Sequence, residues 1–328
     1  MSRPLLLVLL TLLALAAGIG SVAIGPAHLG FARTLAALVG QGDTTASIIL
    51  LQLRLPRALL GLAVGAMLGV GGAAMQGYLR NPLAEPGVLG SSNAAALGAV
   101  VALYYGFANA WAPALPLMAV AGACVGLAPL MLLARTSGEP LGLVLAGIAI
   151  GALAGAGIAL ALNLSPNPFA MVEIMTWLMG SLADRSWHHV AIGLPCIAIG
   201  LALLLPGGRA LDALSLGEDA ARTLGVNLPR LRLRLLAGIA IGIGGATAVA
   251  GAIGFVGLVV PHMVRPWTDR SPSAVLLPSA LGGAALLTLA DILVRLIGGV
   301  DQIHLGVVTA FIGVPVFLAQ LLRRPQPW

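Results

Sequence analysis

Apolar residues fall along this chain in long blocks separated by short polar breaks. The blocks lie near 4–24, 57–76, 88–107, 114–134, 141–162, 187–206, 234–252, 255–265, 274–296 and 304–322. An apolar helix needs roughly 20 residues to cross the hydrocarbon of a bilayer, and most of these blocks have that length. With no water to take up free backbone groups, apolar blocks of this kind fold as helices. The pattern therefore predicts an all-α, polytopic membrane protein of about ten transmembrane helices. The eighth block is short and is punctuated by Gly254, Gly257 and Pro261, so it reads as a broken or re-entrant element. The first reads as a span; a cleaved signal peptide is the alternative, because Arg3 precedes an apolar run that ends in small residues.

Composition agrees with the pattern. Hydrophobic residues make up 59% of the 328, charged ones 9%, and mean hydropathy is +1.03, which leaves no material for an extramembrane domain. Glycine, at 44 residues, crowds the blocks in stretches such as "GLAVGAMLGVGGAAMQG" (61–77) and lets helix backbones approach closely. "AGIAIG" occurs at 146–151 and 237–242, and "GLAVG" at 61–65 resembles it. Chance in a Gly/Ala/Ile-rich background explains this as well as duplication does. A duplication would give two inverted five-helix halves, a common transporter plan.

Charge then sets orientation. With the N-terminus inside, twelve arginines fall on the inner side and five (Arg33, Arg54, Arg57, Arg185 and Arg295) outside, which favours both termini in the cytoplasm. All 17 basic residues are arginine. A chain without lysine has no P-loop and no lysine Schiff base, so it hydrolyses no nucleotide by that route. Cys124 and Cys196 stand far apart in apolar runs, with neither a disulfide framework nor metal spacing.

Few polar residues remain to carry chemistry. Asp291 has Arg295 four residues on, the spacing of a same-face ion pair; unpaired, it would be the acid a proton-coupled, ATPase-independent transporter needs. His188 and His189 lack a carboxylate at ligand spacing and read as an interface cluster beside Trp187. The stretch 206–234 is the longest polar segment on the inner side. Within it Ser215 and Glu218 have capping-box spacing and Gly225 can end the helix they start. A short amphipathic helix there suits a groove on another protein.

Four stretches, "LRLPRALLGLAVGAMLGVGGAAMQGYLRNPLAEPGVLG" (53–90), "LSLGEDAARTLGV" (214–226), "GAIGFVGLVVPHMVR" (251–265) and "GVVTAFIGVPVF" (306–317), resemble the FecCD-type permeases of ABC importers for ferric siderophores, haem and cobalamin. The resemblance implies a single transmembrane permease domain over 1–328, with 206–234 as its cytoplasmic coupling segment. It implies a second identical copy, two cytoplasmic ATPase subunits that bind ATP and magnesium, a periplasmic substrate-binding protein, a bacterial inner-membrane location, and no nucleic acid or cofactor in this chain. By residue, it implies a cytoplasmic gate at Asn81 and Leu83, in a turn whose prolines stop both flanking helices. A second gate element would fall at 138–141, where "SGEPLG" lacks the small hydroxyl residues of the cobalamin permease. ATPase coupling would involve Leu216, Gly217, Glu218, Ala221, Leu224 and Gly225. Arg54, Arg57 and Arg295 would present guanidiniums to carboxylates of the binding protein. Pro261 and His262 would end the eighth span at the inner surface. His304 stands where relatives usually have proline, and its imidazole would be a transient contact for haem iron.

Overall fold

Two glycine-rich helices occupy the middle of the protein. In the computed structural model, which describes residues 2–25, 27, 29, 36, 43–111, 113–136, 140–165, 168–297 and 303–322, every regular element among them is helical. In chain order these are α1 (Arg3–Ala23), α2 (Thr44–Ile48), α3 (Leu55–Leu79), α4 (Ser91–Tyr104), α5 (Phe107–Ala110), α6 (Ala114–Thr136), α7 (Pro140–Asn163), α8 (Pro168–Leu178), α9 (Trp187–Leu204), α10 (Gly208–Ser215), α11 (Glu218–Thr223), α12 (Leu228–Ala250), α13 (Val256–Val264), α14 (Pro272–Ile297) and α15 (Leu305–Leu322). A π-helical stretch, Ile49–Arg54, joins α2 to α3. "Inner" below means the side of the arginine excess.

Each of the ten apolar blocks contains a helix, and seven helical stretches have the length and hydropathy to cross a membrane. The ends follow local chemistry. Asp43 accepts the Ala46 N–H at 2.7 Å to start α2, and Asn227 accepts the Arg230 N–H at 3.0 Å to start α12, each satisfying a first-turn donor. Helix α3 stops where Arg80 turns left-handed, with its N–H on the Gln76 carbonyl. Helix α13 has nine residues, about 13 Å of helix, so the eighth block does not cross. Helix α8 was not predicted, because Glu173 and the flanking Pro168 and Asn163 kept its apolar run below spanning length.

Packing follows the small residues. Helices α3 and α14 run antiparallel along Gly61, Gly65 and Gly69, spaced by four on one face of α3, against Thr288, Gly283 and Ser279. A side chain on Gly72 would overlap the Gly257 carbonyl, so α13 lies directly on α3. Two pairings of each central helix match under the expected inversion. Helix α3 packs on α14 and α13, and α12 packs on α6 and α4. These are second on ninth and eighth, seventh on fourth and third. These pairings fit two inverted five-helix halves, although α12 also packs closely on α9 where α3 packs only lightly on α1.

Candidate functional site

At the inner end, the stretch 80–90 turns back into the protein. Asn81 Oδ1 accepts the Leu83 N–H at 2.9 Å, and the Asn81 carbonyl accepts the Ala84 N–H at 3.1 Å. This Asx turn satisfies N–H groups of the turn itself, while the Asn81 N–H takes the Gln76 carbonyl at the end of α3 at 3.1 Å. Leu83 stands at its tip, 44% exposed. Pro86 packs against Gly71 and Gly257, so the chain has re-entered to the depth of those glycines before α4 begins. There Glu85 Oε1 accepts the Phe255 N–H at 3.0 Å. Phe255 is left-handed (φ 67°) and immediately precedes α13, so the carboxylate sits on the positive end of that half-helix. Glu85 lies in the gate stretch, yet nothing in the sequence linked it to residue 255. Residues 138 and 139, of the second expected gate element, lie outside the described residues, as do the side chains at 140 and 141.

The coupling segment is two short helices, and the expected capping box is not formed. Ser215 ends α10 and its hydroxyl donates to the Asp212 carbonyl at 2.6 Å. Gly217, at φ 108°, stands at the N-cap of α11. The hydroxyl prefers the carbonyl one turn back because Gly217 already supplies the backbone bend, and Glu218 is drawn instead to arginines. It meets Arg232 at 2.8 Å and Arg222 at 3.2 Å. Gly225 ends the helix at φ 84°, as predicted. Leu216 and Leu224 project outward, 69% and 64% exposed, while Ala221 is fully buried. Asp212 Oδ1 accepts the Ser273 N–H at 2.8 Å, holding α10 to the start of α14. Nearby, Gln76 is buried on α3, donates to the Leu258 carbonyl and accepts from Arg265 at 2.8 Å. Helix α13 ends three residues after Pro261, with His262 half-buried in its last turn. In the adjoining loop, two hydrogen bonds from Ser271 hold the Asp269 carboxyl below its usual range.

At the outer end the arginines do not face outward. Asp291 pairs with Arg295 at 3.0 Å, as its spacing predicted. It also receives Arg57 Nε and Nη2 at 2.9 and 2.8 Å in a two-bond fork. Arg295 continues to the Ser21 and Ile24 carbonyls, each at 2.8 Å, and to the Ser21 hydroxyl. Arg54, 5% exposed, donates to the Val22, Ala23 and Ala27 carbonyls. All three guanidiniums expected to meet a partner are thus hydrogen-bonded within the chain. The last turn of α1 leaves carbonyls without helical partners, and Arg54 and Arg295 satisfy them. Such carbonyls have no side-chain signature, so this role was not legible in the sequence. Close by, Ser186 and His189 are hydrogen-bonded across the first turn of α9, and Trp187 donates to the Leu51 carbonyl at 2.9 Å.

His304 is half-buried just before α15, and its carbonyl accepts the Val307 and Val308 N–H groups. It borders a junction where Ser181 donates to Ala250 and where Leu305 and Gly306 donate to Gly180 and Met179. Two small recesses, one lined by Leu89, Leu127 and Ile239 and the other by Phe255, Leu286 and Ile312, have room for no more than about one water molecule.

The sequence profile of the FecCD transport family matches residues 9–323. The chain belongs to that family. It is 43% identical over 276 residues to the Fe(3+) dicitrate transport system permease protein FecD of Escherichia coli, covering 84% of this chain and 85% of that one. Identity is 42% over 279 residues to the vitamin B12 import system permease protein BtuC of Vibrio cholerae, covering 83% and 82%. It is 39% over 334 residues to the hemin transport system permease protein HmuU of Yersinia pestis, covering 98% and 95%. A metal-chelate type ABC transporter solved in an inward-facing conformation superposes with a TM-score of 0.87 at 30% identity, over 98% of this chain and 99% of that one.

Proposed function

We propose that this chain is the permease subunit of a binding-protein-dependent ABC importer of the bacterial inner membrane. Two identical copies would work with two cytoplasmic ATPase subunits and a periplasmic binding protein to move an iron complex, haem or ferric siderophore, or cobalamin. The observation that carries the engine half of this reading is the pair α10–α11. It is anchored to α12 and α14 by polar contacts and holds Leu216 and Leu224 exposed on the inner side. Exposed leucines on an otherwise polar inner segment suit a groove on an ATPase. ATP and magnesium belong to that subunit, since this chain lacks the lysine of a P-loop. Ion coupling is the weaker alternative, because Asp291 is locked between two arginines.

Gently solubilised protein should capture an ATPase subunit whose hydrolysis rises with the loaded binding protein. Uptake should survive collapse of the proton gradient and stop on ATP depletion. Uptake with the opposite dependence would overturn the proposal. Within the cargo class, a haem contact at His304 predicts that His304→Ala slows haem uptake more than uptake of cobalamin or ferric citrate. Equal rates for parent and variant on all three would remove that contact.

A further inference from the structure

We propose that Arg57 and Arg185 hold the phosphate of an outer-leaflet phospholipid in a recess between the outer ends of α3 and α9. Two contacts bracket the recess. At its floor Leu182, fully buried, lies against Gly61 of α3. At its rim the Trp187 indole N–H donates to the Leu51 carbonyl at 2.9 Å. Arg57 stands one turn from Gly61 on the same face of α3, toward Leu51, and so falls between the two contacts. Arg185 falls between them from the other side, because its Nη2 turns back to the Ser181 carbonyl at 3.3 Å, beside Leu182.

Both guanidiniums keep donors to spare. Arg57 uses Nε and Nη2 on Asp291, and its Nη1 meets no acceptor among the described residues. Arg185 makes its one long bond, and its Nε has no partner. Among the described residues neither Arg185 nor its exposed neighbour Asp184 enters an ion pair, and Asp291 already serves Arg57 and Arg295. An oxoanion supplies the missing charge and the missing acceptors together. The shape selects its source. The Arg57 side chain is 16% exposed and Arg185 is half-buried, so the donors are recessed, open to a small group and closed to a flat protein surface. Trp187 marks headgroup level, as interfacial tryptophans do. Below it the exposed stripe of α9, with Leu194 and Ile199, is apolar and gives acyl chains a track. Phosphatidylglycerol fits better than phosphatidylcholine, whose ammonium would meet two like charges.

The test uses the full chain, purified and delipidated in detergent, with native mass spectrometry counting phosphatidylglycerol as it is titrated in. Arg185→Gln should weaken the tightest binding step about tenfold. Arg185→Lys, which keeps the charge, should lose less. Arg230→Gln, exposed on the inner side, should bind as the parent does. Phosphatidylcholine should occupy that step more weakly, and inorganic phosphate should not displace the lipid. Displacement by phosphate would assign the recess to a free oxoanion and overturn the lipid. Parental lipid binding by Arg185→Gln overturns the proposal as well; if that variant also captures a periplasmic binding protein more weakly, the recess belongs to the partner. A second measurement needs no variant and so stands even if Arg185→Gln does not fold. Phosphatidylglycerol with a photoreactive headgroup, in vesicles, should label the stretch 181–189 of the parent, and labelling that spares this stretch overturns the proposal.

Discussion

Asp291 shows what a single intramembrane charge does here. It is 1% exposed and flanked by Arg57 and Arg295. Removing one member of such a cluster leaves the others charged and desolvated, which typically costs about 3–5 kcal/mol. Asp291→Ala should therefore lower detergent-solubilised stability by about that amount, as a large fall in the thermal midpoint. Arg57→Ala and Arg295→Ala should fall in the same direction, because each also leaves Asp291 or the end of α1 with fewer donors. The measurement separates the two roles considered for these arginines, since it contains no binding protein. Variants as stable as the parent that bind the partner more weakly would return them to docking. The i, i+4 pair was legible in the sequence, because spacing on one helix fixes it. The fork to Arg57 spans 234 positions, and only tertiary structure brings those residues together.

The elements divide the same way. Long apolar helices were legible because the bilayer fixes their length, and the break in the eighth block was legible in its glycines and proline. What was not legible is that the stretch after α3 re-enters as well and meets the stretch after α12 at Glu85 and Phe255. The contact depends on Gly72 and Gly257 letting α13 lie against α3, and a sequence pattern reports small residues without naming their partners. Glu85→Gln keeps an acceptor for the Phe255 N–H, whereas Glu85→Ala leaves that donor buried and unmatched, a loss of roughly 1–3 kcal/mol. The alanine variant should hydrolyse ATP with less cargo moved per turnover, and the glutamine variant should stay near parental. Equal coupling ratios for alanine and parent in reconstituted vesicles would show that the joint does not hold the gate. Gly72→Leu, which forces α13 off α3, should fail to assemble at all, as read by loss of a monodisperse peak in detergent.

For the whole molecule, the pairings of α3 with α14 and α13 repeat those of α12 with α6 and α4, and Glu85 and Phe255 occupy matching places after the two central helices. "GLAVG" at 61–65 and the second "AGIAIG" at 237–242 fall on those two helices, so this part of the repeated sequence coincides with the structural duplication. The first "AGIAIG" lies on α7, whose counterpart by chain order is α15, and its likeness to α12 has no structural counterpart. In the two-fold pair proposed above, the cargo path would lie between the copies, because a two-fold axis sets the same face of each copy opposite the other. Leu83, exposed at the tip of the gate turn, is then expected to meet or closely approach its own equivalent across the axis. A Leu83→Cys variant, otherwise free of cysteine, should form an inter-chain disulfide under mild oxidation in membranes, seen as a dimer band lost on reduction. ATP added with the ATPase subunits should change the yield, because opening separates the two tips. Cysteine at Trp111, exposed at the far end of the bundle beside α6, serves as the comparison and should cross-link independently of nucleotide or not at all. Monomer at position 83 in every nucleotide state would place the path away from this turn, and Asn81 and Leu83 would then serve only to close α3.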